Sequence, residues 1–297
     1  MNSSRREQRR QGSREIVDLI GRVCVVTGAT RGLGLATSTA LAELGASVIM
    51  LGRDRARGER AAQRVREAAA PGADVSFMPM DLASLASVCA AAAEIAGQHD
   101  AIHVLVNNAG VHLRSRMMSP DGFELTWAIN HLGPFLFTNQ LLPQLRAAKA
   151  ARIVTVTSQF ARFGRVSPRD IGTVRVSSAL RAYFDTKLAN MLFTVELARR
   201  LEGARVVVNC VHPGVVATDL MREWPPWVRR SWEWALRTPE SGAEPIVRLA
   251  ASPSLAGLTG QYFIRARRAA FPRRARDPRL ARELWEESER LVGLVSS

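Results

Sequence analysis

The feature that most constrains the fold is a regular alternation, from residue 22 onward, between short β-branched apolar runs and longer stretches rich in Ala and Leu. The apolar runs predict strands at 22–27, 47–51, 75–79, 102–106, 152–157, 205–211 and 261–264. The stretches between them predict helices near 33–44, 54–70, 84–97, 121–149, 179–202 and 239–251. Because the strand runs are continuously apolar, helices must cover both faces of the sheet. We therefore predict one α/β domain with a seven-stranded, mainly parallel, doubly wound sheet.

Composition indicates where that domain begins. Residues 1–16 are polar and rich in arginine, which predicts a disordered basic tail, with a basic membrane anchor as the alternative. Residues 17–297 contain no linker-like stretch and no internal repeat, and they are assigned to the domain. The assignment includes a tryptophan-rich segment at about 219–240 and a C-terminal extension at about 265–297. No apolar run approaches the roughly 18 residues that span a bilayer.

Charge and cysteine content limit the class of function. A net charge of +14 raises nucleic acid as a partner. The basic residues are dispersed, however, and no aromatic-lined basic groove or helix-turn-helix pattern accompanies them, so no nucleic-acid partner is predicted. The three cysteines, Cys24, Cys89 and Cys210, are odd in number and lie in apolar or helical sequence. They predict free thiols in a reducing cytoplasm rather than a disulfide framework or a metal site.

The first predicted strand runs directly into a glycine-rich turn, TGATRGLG (27–34), which helical sequence follows. Glycines let the backbone turn tightly and approach a phosphate, and the next helix offers unpaired N–H groups at its positive dipole end. After the first strand of an alternating α/β chain, such a turn predicts dinucleotide binding in a Rossmann-type domain. An ordinary tight strand-to-helix turn is the alternative.

The end of the second strand indicates which dinucleotide is bound. A carboxylate there would bind the ribose hydroxyls of NAD, whereas a cation would bind the 2′-phosphate of NADP. The sequence reads LGRD (51–54), so Arg53 follows the strand, and Arg31 lies within the glycine turn. Two guanidinium groups suit one phosphate. Asp54 could serve as an NAD-type acid, but its position before a helix favours an N-cap. We predict NADP(H) as the cofactor.

Five motifs occur in a fixed order: TGATRGLG (27–34), NNAG (107–110), the serine that ends VTVTS (154–158), YFDTK (183–187) and HPG (212–214). In this order and spacing, the chain from about residue 17 to 265 resembles the short-chain dehydrogenase/reductase family. RAYFDTKLANMLFT and VHPGVVATDL are similar to the retinol dehydrogenase branch and its bacterial relatives. The interval of 25 residues between Ser158 and Tyr183 is long for the family and similar to that branch.

The resemblance implies roles for the residues at matching positions. Ser158, Tyr183 and Lys187 would be catalytic, and Asn130 would hold a water in a proton relay. A buried Asn130 that bonds backbone carbonyls is the alternative. Contacts with the cofactor are implied for Gly28, Thr30, Arg31, Gly32, Leu33, Gly34, Arg53, Asp81, Leu82, Asn108, Ala109, Gly110, Tyr183, Lys187, Pro213, Gly214 and Thr218. His112 and His131 border the expected cleft and are interpreted as lining or structural residues, since no metal-ligand pattern includes them.

The spacing of Tyr183 and Lys187 is what proton transfer next to a carbonyl requires. Hydride transfer to a carbonyl leaves an alkoxide that takes up a proton, and the donor needs a pKa closer to neutral than the phenol value near 10. Residues four apart share a helix face. A cation about 4 Å away contributes roughly 4 kcal/mol at an effective dielectric constant near 20, which lowers a phenol pKa by about 3. Taken alone, the pair could be an exposed helix pair and Ser158 a helix cap.

These observations predict an NADP(H)-dependent oxidoreductase that interconverts a lipophilic ketone or aldehyde and its alcohol by a Tyr/Lys/Ser mechanism. The family resemblance makes 219–240 a substrate lid, and its tryptophans suit an apolar substrate, although contact with a membrane surface or with another subunit would also use them. A homodimer or homotetramer is expected. The alternatives from other classes are a redox-neutral epimerase or dehydratase on the same fold and a non-catalytic cofactor sensor.

Overall fold

The computed structural model describes residues 18–172, 178–216 and 237–294. Its strands are β1 (Val23–Thr27), β2 (Ser47–Gly52), β3 (Val75–Pro79), β4 (Val104–Asn107), β5 (Ala151–Val156), β6 (Val206–His212), β7 (Gln261–Ile264) and β8 (Arg267–Ala269). They form one sheet in the order β3-β2-β1-β4-β5-β6-β7-β8. The pairs from β3 to β7 are parallel, and β8 pairs antiparallel with β7.

Helices connect the strands on both faces of the sheet. They are α1 (Gly32–Glu43), α2 (Arg55–Ala68), α3 (Leu85–Gln98), α4 (Leu125–Trp127), α5 (Gly133–Gln140), α6 (Leu142–Ala147), α7 (Ala179–Arg200), α8 (Pro239–Ala251) and α9 (Pro278–Leu291). One π-helical turn, Ala128–Leu132, joins α4 to α5. Short 3₁₀ helices lie at Gln159–Phe163, Pro168–Asp170, Pro253–Leu255 and Arg273–Arg276.

Two hydrophobic clusters lie on opposite faces of the sheet. In β1, Val25 belongs to one cluster, while its neighbours Cys24 and Val26 belong to the other. Successive side chains of a strand point to opposite faces, so a strand buried on both sides must be apolar at every position. This explains the continuous apolar runs of the sequence and confirms the predicted doubly wound Rossmann-type sheet.

The structure differs from the sequence-based prediction in the number of strands, in the helix predicted at 121–149 and in helix α9, which was not predicted. Among the described residues the sheet has eight strands rather than seven, because the basic segment after β7 turns back and pairs with it as β8. The helix predicted at 121–149 is broken into α4, the π-helical turn, α5 and α6. The predicted tail at 1–16, Thr218 and most of the predicted lid at 219–240 lie outside the described residues.

The C-terminal extension folds back onto the domain through α9. Asp277 caps this helix by accepting hydrogen bonds from the backbone N–H groups of Arg279 and Leu280. Trp285 of α9 stacks on Phe193 of α7, with 5.8 Å between ring centroids. Ser288 of α9 is hydrogen-bonded at 2.9 Å to His131 in the π-helical turn. The extension therefore buries one side of α7, the helix that carries Tyr183 and Lys187.

Candidate active site

A cleft of about 830 Å³ opens at the carboxyl ends of the parallel strands. In open α/β sheets ligands bind where the strand order reverses, which here is between β1 and β4. Sixteen of the predicted cofactor residues, together with Ser158, line the cleft: Gly28, Thr30, Arg31, Gly32, Leu33, Gly34, Arg53, Asp81, Leu82, Asn108, Ala109, Gly110, Tyr183, Lys187, Pro213 and Gly214. Asn130 does not line it, and Thr218 lies outside the described residues.

The glycine turn and the NNAG motif are built as one unit. The side-chain amide of Asn108 donates to the carbonyl oxygens of Thr27 at 2.8 Å and Gly28 at 3.3 Å. The Thr27 hydroxyl in turn accepts from the backbone N–H groups of Asn108 and Ala109, both at 3.0 Å. A Cβ atom at Gly34 would lie 2.2 Å from the Gly28 carbonyl oxygen, so glycine is required there. Asn108 therefore fixes the turn rather than only lining the cleft.

The start of α1 fits a phosphate group. Asp54, Ser84, Ser178, Thr238 and Asp277 provide side-chain caps for α2, α3, α7, α8 and α9, respectively. Unlike these five helices, α1 begins without a side-chain cap. Its first turn also contains no acidic residue. Its unpaired N–H groups lie at the glycine turn, so they suit the pyrophosphate of a dinucleotide.

The end of β2 presents Arg53 to the same cleft, while Asp54 is engaged elsewhere. One carboxylate oxygen of Asp54 accepts from the backbone N–H of Arg57 at 2.9 Å, and the other lies 3.3 Å from the Arg57 guanidinium. The N-cap prediction for Asp54 is thus confirmed, and this backbone hydrogen bond is the main cause that lowers its pKa. Arg53 is exposed and lines the cleft.

Ser158, Tyr183 and Lys187 meet where β5 ends against α7. The Lys187 ammonium donates to the Val156 carbonyl at 3.2 Å and lies 5.7 Å from the centroid of the Tyr183 ring. The Thr157 hydroxyl donates to the Lys187 carbonyl at 2.8 Å, which ties α7 to β5. Ser158 does cap a 3₁₀ helix, by accepting from the Phe160 N–H at 3.2 Å, but its hydroxyl is also close enough to the Tyr183 phenol to act on the pKa of that group.

Burial opposes charge on both α7 side chains. It lowers the pKa of Lys187 to about 8 and raises the pKa of Tyr183 to about 12, although the Ser158 hydroxyl acts to lower the latter. The sequence predicted a Tyr183 pKa closer to neutral. The i,i+4 spacing indicates that a cation is near the phenol, but it does not indicate that both groups are buried and desolvated. The protein alone therefore holds Tyr183 as the protonated phenol.

Asn130 lies behind the Tyr183–Lys187 pair, in the π-helical turn. Its carbonyl oxygen accepts from the Val111 N–H at 2.7 Å, and its amide donates to the Val111 carbonyl at 2.9 Å and to the Thr186 hydroxyl at 3.1 Å. A Cβ atom at Gly110 would lie 3.2 Å from the Lys187 ammonium and 3.4 Å from the Asn130 carbonyl oxygen. The Lys187 ammonium and the Asn130 side chain therefore both lie next to the backbone of the NNAG motif at Gly110.

The two predicted cleft histidines have different surroundings. His112 is buried edge-on against the Tyr183 ring, with centroids 5.4 Å apart. His131 faces away from the cleft and packs between Trp127 and Phe193. Within the described ranges no three His, Cys, Asp or Glu residues are grouped as a metal site would require.

Sequence reasoning missed two side chains that line the reacting end of the cleft. Phe160 follows Ser158 in the 3₁₀ helix, and an aromatic residue two positions after the serine was the available signal. His212 begins the HPG motif and is buried at the end of β6. Burial, with the charges of Arg265 and Lys187, lowers the pKa of His212 to about 4, so its imidazole is neutral near pH 7.

A parallel bridge between Val216 and Arg237 closes the far side of the cleft. The Arg237 backbone N–H donates to the Val215 carbonyl at 2.8 Å, and its guanidinium donates to the Pro213 carbonyl at 3.3 Å. The same guanidinium bonds Ser241 in the first turn of α8. The turn that contains Pro213 and Gly214 is therefore fixed to α8.

Comparisons with known proteins agree with this geometry. A family model described as short chain dehydrogenase matches residues 22–229. The chain is 40% identical to retinol dehydrogenase 14 of Mus musculus, over 99% of this chain and 92% of that protein.

Two solved structures show the same architecture. One, of an uncharacterised protein from Mycobacterium paratuberculosis, has a TM-score of 0.77 at 32% identity, over 95% of this chain and 97% of that one. The other is described as an NAD(P)-dependent gluconate 5-dehydrogenase from Beutenbergia cavernae with bound NADP. It has a TM-score of 0.68 at 28% identity, over 83% of this chain and 96% of that one. Of the helices in the described ranges, none has the length and apolar character needed to cross a membrane.

Proposed function

The chain belongs to the short chain dehydrogenase family, and on that premise we propose that it is an NADP(H)-dependent oxidoreductase that interconverts a lipophilic ketone or aldehyde and its alcohol. The observation that carries the proposal is the meeting of Ser158, Tyr183 and Lys187 at one end of a cleft whose other end is the glycine turn. Bound NADP(H) supplies the hydride donor or acceptor, and the three side chains handle the substrate oxygen and its proton.

Each side chain has a distinct role in this proposal. The Ser158 hydroxyl donates a hydrogen bond to the substrate oxygen and so orients the carbonyl beside Tyr183. In reduction, the Tyr183 phenol gives its proton to the developing alkoxide; a phenol that burial keeps protonated suits that direction. The Lys187 ammonium stabilises the phenolate that results, because the two groups lie on one face of α7.

The preference for NADP(H) rests on the charges at the end of β2. Arg53 and Arg31 line the part of the cleft beside the glycine turn, and Asp54 is engaged as the cap of α2. A 2′-phosphate would meet two guanidinium groups there, whereas the carboxylate that directly follows Arg53, Asp54, already caps a helix. The neighbouring structure described with bound NADP is consistent with this preference.

A lipophilic substrate is supported by the apolar lining near the reacting groups. Val111, Ile129 and Phe160 border the cleft close to Ser158 and Tyr183. Apolar walls with a few convergent polar groups are typical of sites for small apolar ligands. The mouse relative is named for retinol, which is itself a lipophilic alcohol.

The test is oxidation of NADPH and of NADH by the purified chain with a panel of aldehydes and ketones. We expect turnover with NADPH, and we expect Arg53→Ala to raise KM for NADPH roughly 10-fold or more, because a charge-assisted hydrogen bond to phosphate is lost. KM for NADH should change little. Arg55→Ala removes an adjacent exposed arginine that does not line the cleft and serves as the matched control.

The outcomes separate the two parts of the proposal. Equal effects of Arg53→Ala on NADPH and NADH would overturn the cofactor preference while leaving the oxidoreductase intact. Absence of turnover with any carbonyl compound and either nucleotide, together with absence of nucleotide binding measured by fluorescence, would overturn the whole proposal.

A further inference from the structure

Three phenylalanines form a continuous aromatic row between the reacting end of the cleft and the protein surface. The row consists of Phe160, Phe163 and Phe184. Their ring centroids are 5.4 Å apart for Phe160 and Phe184, 5.8 Å for Phe163 and Phe184, and 6.5 Å for Phe160 and Phe163. The Tyr183 ring is 6.2 Å from Phe184. Each ring thus has an aromatic neighbour, beginning at the proposed proton donor.

The local backbone produces this arrangement. Ser158 caps the 3₁₀ helix 159–163, and side chains three residues apart in such a helix lie on one side, so Phe160 and Phe163 project together. Gly164 then brings the chain against α7: a Cβ atom there would lie 2.6 Å from the Phe184 carbonyl oxygen and 2.7 Å from Cβ of Leu188. This close approach holds both phenylalanines of the 3₁₀ helix next to Phe184.

One end of the aromatic row is in the cleft and the other is in solvent. Phe160 lines the cleft with Ser158 and Tyr183. Phe163 is 48% exposed, and Leu180, which lies one turn before Phe184 on the same face of α7, is 40% exposed. Packing of the fold therefore leaves Phe163 partly exposed, at the point where the row reaches the surface.

Charge around the aromatic row also favours an apolar occupant. Asp185 follows Phe184, but its carboxylate is bound by the Arg165 backbone N–H at 2.6 Å and by the Arg181 guanidinium. The Arg162 guanidinium lies 4.6 Å from the centroid of Phe163 and covers part of the ring at the surface. The row thus consists of aromatic rings, with the cation of Arg162 over its outer ring and no unpaired carboxylate at Asp185.

We propose that the aromatic row binds the acyclic apolar tail of the substrate and so selects long-chain aldehydes and alcohols over short ones. The inference rests on the proposed function, because it needs the carbonyl group to lie at Ser158 and Tyr183. Full burial of a methylene group corresponds to about a fourfold gain in kcat/KM at the usual hydrophobic transfer value. Phe163 lies at the outer end of the row. It therefore sets the length of substrate tail up to which kcat/KM continues to rise.

The experiment measures kcat/KM with saturating NADPH for hexanal, octanal, decanal and dodecanal, each below its solubility limit. For the wild-type chain we expect kcat/KM to rise by roughly two- to fourfold per methylene along the series. Phe163→Ser should leave hexanal unchanged and lower dodecanal about 10-fold, and Phe163→Leu should restore most of that loss. Ile20→Ser removes the most exposed large hydrophobic residue described, at 71% exposure, and serves as the matched control.

Two results would overturn the inference. The first is turnover of hexanal with no dependence on chain length. The second is a Phe163→Ser variant, folded by circular dichroism, whose chain-length dependence equals that of the wild type. Neither of these two results would contradict the proposed oxidoreductase function. Failure of every aldehyde in the series would also overturn the inference, and the proposed function falls with it only if turnover of all other carbonyl compounds and nucleotide binding are absent as well.

Discussion

Acid sensitivity at His131 is the prediction that the structure defines most sharply. The imidazole is buried between Trp127 and Phe193, and its Nε2 is hydrogen-bonded to the Ser288 hydroxyl of α9 at 2.9 Å. Burial lowers the pKa of His131 from 6.5 to about 4, despite a hydrogen bond with Asn190 that acts to raise it. Protonation would place an uncompensated charge where the C-terminal helix meets the π-helical turn.

The sign and size of the effect follow from linkage. The unfolded chain takes up this proton near pH 6.5 and the folded chain near pH 4, so stability falls as the pH decreases between these values. The full difference corresponds to about 3 kcal/mol, of which about 2 kcal/mol is lost by pH 5. His131→Gln keeps a polar partner for Ser288 and does not titrate.

The assay is urea-induced unfolding at pH 7 and pH 5, followed by circular dichroism. We expect His131→Gln to lose about 2 kcal/mol less unfolding free energy than the wild type over this interval. The contributions of the other titrating groups to the unfolding free energy cancel in the difference between the wild type and His131→Gln. His99→Gln, at a half-buried histidine on α3's C-terminal side, is the matched control and should follow the wild type. Equal losses in wild type and His131→Gln would refute the reasoning.

Two further predictions concern the cleft. Lys187→Arg should keep the fold but lower kcat roughly 100-fold, because the Lys187 ammonium is buried against the Val156 carbonyl, where a broad guanidinium fits poorly. Steady-state kinetics beside Lys149→Arg checks this, and near-normal turnover would contradict it. Asn108→Ala removes hydrogen bonds to the Thr27 and Gly28 carbonyls, so it should cost about 1–3 kcal/mol of unfolding free energy and weaken nucleotide binding. Unchanged denaturation and nucleotide titration curves would contradict it.

The sequence carried most of the information about the sheet and the cleft, because both depend on strongly patterned segments. Apolar strands buried on two faces are unambiguous, and the glycine turn follows β1 directly. The order of the motifs was sufficient to predict that Ser158, Tyr183 and Lys187 would meet, since β5 ends and α7 begins at the carboxyl edge of the sheet. The proposed roles of these three residues stay predictions.

Features that depend on tertiary contacts could not be predicted from local sequence patterns. The π-helical turn at 128–132 leaves the apolar pattern of 121–149 almost unchanged, and Asn130 is held in place by Val111, which is remote in sequence. Helix α9 is an exception, because an Asp277–Pro278 start followed by amphipathic sequence is a local helix signal, although the prediction did not include it. The Tyr183 pKa depends on burial, which the spacing of Tyr183 and Lys187 does not contain.

The bridge between Val216 and Arg237 has a consequence for how this protein can diversify. Val216 and Arg237, the residues that flank the sequence 217–236, are paired at one point that is anchored to Pro213 and to α8. Because the entropy of closing a loop grows only slowly with its length, replacements of different size and composition can be joined at this point without moving β6 or α8. We therefore expect a chain that carries a relative's sequence in place of residues 217–236 to keep β6 and α8 unchanged.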